Sequence, residues 1–383
     1  MSVDLPTLLV GSYTATGGGN ATGISLVDGG AARTGARADA GACADAGART
    51  VAVARTVAVL DDPSFLAVSG DRVYAVSETN DGGVSAFRMQ NGALEHLWDA
   101  SAGGDAPCHL RVDPSGALIV TNYVSGTVTA VSLAAAESFS ASVLASDGVV
   151  LPADGVHGRT DRLAVPASAI AVATLPAATG PVQDRQDAPH AHQSVATPDG
   201  TVLVADLGGD ALHEFRVTVS ADGVPTLEAL RVHHVAPGVG PRHLAWYDGD
   251  LFVAGELDGA VHRLRRDESG SLVTIASTPT FEGAVGESLL SHIEVDEAGL
   301  VTVAVRGRDL IVVLDAADDG LALVGSASCG GAWPRHFARV PGYVLVANER
   351  SDAIAVLPIG ADGVPGEAVE QIAVGTPTCI VPL

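Results

Sequence analysis

Short apolar runs alternate along this chain with tight polar turns, and one arrangement of them repeats. Trp333-Pro334-Arg335-His336-Phe337 reads as a strand opened by a proline, and the Pro341-Gly342 turn leads into an apolar strand at 343–349. A polar elbow and a third apolar strand at 352–359 follow. The unit recurs from Gly240-Pro241-Arg242-His243-Leu244 through 251–256 and 260–264, and from Ala106-Pro107-Cys108-His109-Leu110 through 118–122 and 127–131. A period of roughly 40–50 residues built from strands and turns is the signature of propeller blades. Inner strands open at Pro63-Ser64, Pro107-Cys108, Pro189-His190, Pro241-Arg242, Ser291-His292, Pro334-Arg335 and Pro377-Thr378, which makes seven blades.

The last opening leaves room for one strand only, whereas 8–13 and 23–26 read as the second and third strands of a blade lacking its first. Pairing the two termini closes the ring and removes its sheet edges. The pattern therefore predicts an all-β, seven-bladed β-propeller of four-stranded blades, forming a single domain over 1–383. Two tracts break the period: an Ala/Gly-rich insertion at about 29–54, read as a loop or a drifting edge strand, and an irregular one at about 134–187, expected to decorate one face of the ring and to fold over the channel mouth.

Inner strands line the central channel, so the residue after each opening proline is expected at one level: Ser64, Cys108, His190, Arg242, His292, Arg335 and Thr378. Alternation then turns His109, His243 and His336, one position on, toward the neighbouring sheet. A second column, at the elbow after each second strand, reads Tyr13, Thr79, Tyr123, Leu207, Glu256, Arg306 and Glu349, with Ser12, Glu78, Asn122, Asp206 and Asn348 one step earlier. Of these, Glu256 and Arg306 are expected near the channel. His190, or His192 with the same parity, and Glu256 offer acid–base function, while Arg242 and Arg335 offer forks for carboxylate, phosphate or a developing oxyanion.

Composition narrows the partners. The chain has 21 basic residues, all arginine, against 45 acidic ones, a net charge of −24, which argues against nucleic acid or an anionic membrane and excludes Schiff-base lysine chemistry. The 4 cysteines lack metal-type spacing, no GxSxG elbow occurs, and neither a signal-like segment nor a membrane-length apolar run is present. A cytoplasmic monomer or weak homo-oligomer without metal or cofactor is expected.

Across nearly its whole length the chain resembles the seven-bladed propeller lactonases, which include propeller-type 6-phosphogluconolactonases and fungal 3-carboxy-cis,cis-muconate lactonizing enzymes. The matching stretches are Val10-Gly11-Ser12-Tyr13-Thr14, Gly82-Gly83-Val84-Ser85-Ala86-Phe87, Thr121-Asn122-Tyr123 and Arg185-Gln186 through Pro189-His190-Ala191-His192. Asp206-Leu207-Gly208, Gly240-Pro241-Arg242-His243, Glu256-Leu257, Arg306-Gly307-Arg308-Asp309, Pro334-Arg335-His336 and Ala347-Asn348-Glu349 continue the series in order. The resemblance implies catalytic roles for His190 (or His192), Arg242, Glu256 and Arg335, and His109, Asn122, His192, His292 and Arg306 are expected to bind substrate. It implies hydrolysis of a small anionic sugar lactone, most nearly 6-phosphogluconolactone; the rivals are a lactonizing cycloisomerase and a non-catalytic propeller binding an anion or a protein.

Overall fold

The computed structural model describes residues 4–30, 54–146 and 163–383. Its strands form seven four-stranded antiparallel sheets, as the repeat predicts. Blade 1 runs Leu66–Ser69, Arg72–Ser77, Gly83–Gln90 and Ala93–Ser101 from the inside outward. The inner strands of blades 2 to 6 are Pro107–Val112, Ala191–Ala196, Pro241–Tyr247, Leu289–Val295 and Pro334–Val340. Blade 7 is composite: the C-terminal strand Pro377–Pro382 lies inside Leu8–Ser12, Gly23–Val27 and Arg55–Val59. Leu8 faces Pro382 and Val10 faces Ile380, so the ends of the chain close the ring.

A sheet with two apolar faces needs a neighbour on each side, and the blades supply it to one another. Each seam carries its own apolar cluster. Between blades 1 and 2, Val76 and Trp98 pack with Leu110 and Val120. Between blades 6 and 7, Leu345 and Val356 pack with Leu8, Val10 and Ile380. The remaining five seams are filled in the same way.

The irregular tract at 134–187 has more order than its sequence suggests. It includes most of the helix Leu133–Ser146, whose Ser140 hydroxyl donates to the Leu97 carbonyl at 2.7 Å, which holds the helix against blade 1. Ile170–Thr174 then pairs with Thr127–Ser132 as the fourth strand of blade 2. Of the tract at 29–54, residues 31–53 lie outside the described residues, as do 147–162.

One irregularity positions the chemistry. In six blades the pairing of the inner strand slips within its first residues, as between Pro107 and His109, Pro241 and Leu244, Leu290 and Ile293, and Pro334 and His336. Such bulges re-aim side chains and break strict alternation.

Candidate active site

The backbone sets the register of the site. In six blades the elbow residue after the second strand donates its N–H to the carbonyl just ahead of the inner strand: Glu78 to Asp62, Tyr123 to Ala106, Leu207 to His190, Glu256 to Gly240, Glu349 to Trp333 and Tyr13 to Thr376, all at 2.9–3.1 Å; in blade 5 the slip between Leu290 and Ile293 matches that between Pro241 and Leu244 in blade 4. This pattern equates Glu78, not Thr79, with Glu256. It also equates Ala191 with Pro107, Pro241 and Pro334. The residues at the level of Arg242 and Arg335 are therefore His192 in blade 3 and Ser291 in blade 5, and the expectation of His190 and His292 is corrected. Pro189 misleads because it lies two positions ahead of its strand.

Around this mouth lies a cavity of about 240 Å³, lined by Glu78, Cys108, Tyr123, Arg185, His192, Arg242, Glu256, Arg306 and Arg335. Glu256 is its electrostatic pivot. The carboxylate is 2% exposed and takes Arg185 Nη2 at 2.5 Å, Arg306 Nη2 at 2.9 Å and Arg242 Nε at 2.8 Å. Burial pushes its pKa up, but Arg306, Arg242 and Arg185 outweigh burial and bring it down to about 2. Arg335 serves a second carboxylate group: Glu349 at 3.1 Å, Glu78 at 4.0 Å, and the Tyr13 hydroxyl, which accepts from its Nη2. Glu78 is raised above the ordinary carboxyl value by burial, with Arg335 only partly opposing.

Four guanidinia against two lining carboxylates leave donors to spare. The Nη1 and Nε of Arg242 and the Nε of Arg306 are buried without a hydrogen bond, since the Arg242 Nε approaches Glu256 out of line. Burial and neighbouring Arg306 lower Arg242 to about 9, which leaves it protonated at neutral pH. His192 has a buried Nδ1 without a partner and is held neutral by burial and by Arg242. Burial raises the Cys108 thiol, so it is no ready nucleophile.

The other residues singled out in the sequence lie elsewhere. His190 stands behind Tyr123: the rings stack at 4.4 Å, its Nδ1–H donates to the Tyr123 carbonyl at 2.9 Å, and its Nε2 lies 3.2 Å from Asp187. Neither ring nitrogen faces the cavity unengaged. Asn122 is fully buried and uses its amide on the Ala102 carbonyl (2.7 Å) and the Thr127 hydroxyl (2.9 Å), a tie within the blade 1–2 seam rather than a substrate contact.

His109, His243 and His336 do not turn toward neighbouring sheets. The Phe65 ring of blade 1 lies 4.5 Å from His109, 6.2 Å from His243 and 5.7 Å from His336, which rings from blades 1, 2, 4 and 6 can do only at the axis. His292 stacks on His336 at 4.0 Å, which places it one level below Arg242. The bulges explain this, because they let two consecutive residues look inward.

Glu78 and Arg185 were missed as site residues. Glu78 was hidden by a one-residue slip at the Ser77-Glu78 elbow. Arg185 arrives on a loop pinned by Gln186, whose side chain donates to the Leu207 carbonyl at 2.9 Å and accepts the Val182 N–H at 3.1 Å. That loop does lie at the channel mouth. Its one sequence signal is the Arg185-Gln186 pair.

Comparison with known proteins agrees with the fold. The family described as "Lactonase, 7-bladed beta-propeller" matches residues 7–382. A 6-phosphogluconolactonase of Bacillus subtilis is 28% identical over 310 residues, spanning 76% of this chain and 78% of the relative. One of Formosa agariphila is 27% identical over 311 residues, spanning 76% and 80%. Among solved structures, the periplasmic gluconolactonase of Pseudomonas aeruginosa has the same fold, with a TM-score of 0.75 at 24% identity over 98% of each chain.

Proposed function

Because this chain belongs to the seven-bladed β-propeller lactonase family, we propose that it hydrolyses a sugar lactone, 6-phosphogluconolactone, to 6-phosphogluconate. The observation that carries the substrate class is the excess of guanidinium in the cavity, with four arginines against two glutamates and unpaired donors on Arg242 and Arg306. A phosphate dianion and a carbonyl that becomes an oxyanion both suit such a wall. The names borne by the Bacillus and Formosa relatives support the same reading.

The roles follow from the environments. Arg185, at the rim, and Arg335, at the level of Arg242, take the phosphate. Arg242, with Arg306 beside it, faces the lactone carbonyl, and its unpaired Nη1 receives the negative charge as water adds. Glu78, raised above the ordinary carboxyl value by burial, takes the proton from that water, returns it to the ring oxygen as the C–O bond breaks, and then accepts the proton that the new carboxylic acid gives up. Glu256, ionised and engaged by three arginines, is a poor base, and its part is to hold those arginines in place. His192, neutral and bare at Nδ1, orients the sugar hydroxyls.

The test is acid release from fresh 6-phosphogluconolactone above the spontaneous background, for wild type beside Arg242→Ala and Glu256→Gln. Wild type should accelerate hydrolysis, and Arg242→Ala should lower kcat/KM by about 10²–10³-fold, the usual cost of an oxyanion donor. Glu256→Gln should also lose activity, through its arginines. No acceleration by folded wild type would reject the assignment and turn attention to unphosphorylated lactones and muconates.

A further inference from the structure

Below the cavity the channel narrows to a void of about 10 Å³, lined by Glu78, Arg242, His243, Arg335 and His336 among others. This is roughly the volume that one water needs. Cavity and void share Glu78, Cys108, His192, Arg242 and Arg335, so the void is the cavity's inner end.

From its floor a line of polar atoms runs across the channel from blade 4 to blade 5 and then down the axis. His243 Nδ1 lies 2.8 Å from His292 Nδ1, and His292 Nε2 lies 3.3 Å from Glu294 Oε1. Glu294 has 32% of its side chain exposed, so the line ends at solvent below the histidine level. A contact between two imidazole nitrogens requires that one carry a proton and the other a lone pair. With Nδ1–H on His243 and Nε2–H on His292, every atom from the void to Glu294 is paired in order, and His243 Nε2 is left to face the void. The neighbouring histidines are not arranged so: His109 Nδ1 accepts the Ser194 N–H at 3.5 Å and His336 Nδ1 accepts the Ile380 N–H at 3.4 Å, which ends any chain through them.

We propose that His243, His292 and Glu294 form a proton relay that carries the acid released by lactone hydrolysis from Glu78 down the propeller axis to the opposite face. The proposal rests on the lactonase reading above. Each turnover converts a lactone and a water into a hydroxy-carboxylate and one proton. With substrate in the cavity and Arg185 at its rim, the outward side of Glu78 is covered, while its inward side adjoins the void. The proton passes from the Glu78 carboxyl through the void to His243 Nε2. The His243 Nδ1 proton moves to His292 Nδ1, the His292 Nε2 proton moves to Glu294, and Glu294 gives it to solvent. Once product leaves and the cavity opens to solvent, the same transfers run in reverse, Glu294 taking a proton from the lower face and His243 Nε2 giving one up at the open mouth, which restores the starting tautomers. Burial and Arg242 keep both histidines neutral at rest, His292 at about 3, so the file stores no charge. Burial raises Glu294 to about 7 against the opposing Arg339 guanidinium, which is itself held by Thr302 and Asp296, and this suits an acceptor that must release its proton near neutral pH.

The experiment compares steady-state hydrolysis of 6-phosphogluconolactone by wild type, Glu294→Gln, Glu294→Asp and His292→Asn, in H₂O and D₂O. The relay predicts that Glu294→Gln and His292→Asn each lower kcat by about tenfold, with KM unchanged within about twofold and a larger solvent isotope effect on kcat. Glu294→Asp should retain most of kcat. Active wild type with unaltered kcat and isotope effect in Glu294→Gln would overturn the relay and leave the lactonase standing, as would a loss shared by kcat and KM that Glu294→Asp does not restore. A wild type inert toward the lactone would instead overturn the lactonase reading, and the relay with it.

Discussion

Glu78 and Glu256 sit at equivalent elbows of two blades, yet their neighbours drive them apart. Glu256 meets three guanidinia and is brought down to about 2, whereas Glu78 is raised because burial exceeds what Arg335 returns. Paired carboxyls with divergent environments mark an acid–base assignment. Glu78→Gln is expected to lower kcat by about 10²–10⁴-fold with little change in KM, and His190→Asn, behind Tyr123, should leave kcat within about threefold of wild type. Glu256→Gln has a structural cost as well, since it leaves buried arginines without their counter-charge, and a loss of roughly 3–5 kcal/mol should register in denaturant unfolding. The sign of its pH dependence follows from the lowered pKa. Its contribution is full above the ordinary value of 4.5, where the unfolded carboxyl is ionised too, and it is lost as pH falls toward about 2. Unfolding measured from pH 5 to pH 2 should show wild type losing stability faster than Glu256→Gln; parallel curves would mean that the arginines do not hold that carboxylate as the structure places it.

At the scale of the element, the inner strand decides what could be read in advance. Period and turns located every blade, because apolar runs such as 118–120 and 344–346 must bury both faces of a sheet whatever else they do. The level of each channel residue was harder to read. Parity arguments assume an unbroken ladder, and the ladder slips at the residues that carry the chemistry, so His243 and His336 were turned the wrong way and blades 3 and 5 were misaligned. Arg242, Glu256, Arg306 and Arg335 do line the cavity, because blades 4 and 6 and the second strand of blade 5 follow the repeat, whereas the opening of blade 5 does not. Loop-borne Arg185 has no periodic signal at all. Its loop depends on close contact at Gly208, where an added Cβ would stand 1.7 Å from the Ala188 carbonyl oxygen. Gly208→Ala must push that backbone away and carry Arg185 off Glu256. A cost of about 1–3 kcal/mol is expected together with a rise in KM, since the arginine at the rim holds the phosphate. A variant with wild-type KM would assign the phosphate to Arg335 alone.

The ring as a whole makes the site, since no blade holds more than a fraction of it. Arg335 of blade 6 reaches Tyr13 of blade 7, and Glu256 of blade 4 gathers Arg306 of blade 5. The geometry therefore depends on closure, and closure depends on five facing residue pairs between Leu8–Ser12 and Pro377–Pro382, the two ends of the chain. Removing 377–383 would strip Ile380 from one seam and Cys379 from the next, take Thr378 off the Ser64 carbonyl, and leave Leu8–Ser12 with an unpaired edge. Such a chain should lose lactone hydrolysis altogether, because blades 6 and 7 no longer hold Arg335 and Tyr13 together. It should also melt at lower temperature and self-associate through the bare edge. Size-exclusion chromatography and thermal unfolding of the shortened chain beside a Thr378→Val variant separate the two effects: the point variant deletes one hydrogen bond and keeps the strand. If the shortened chain stays monomeric with an unchanged melting temperature, closure by the terminal strand is not what holds the ring, and the inter-blade clusters alone suffice.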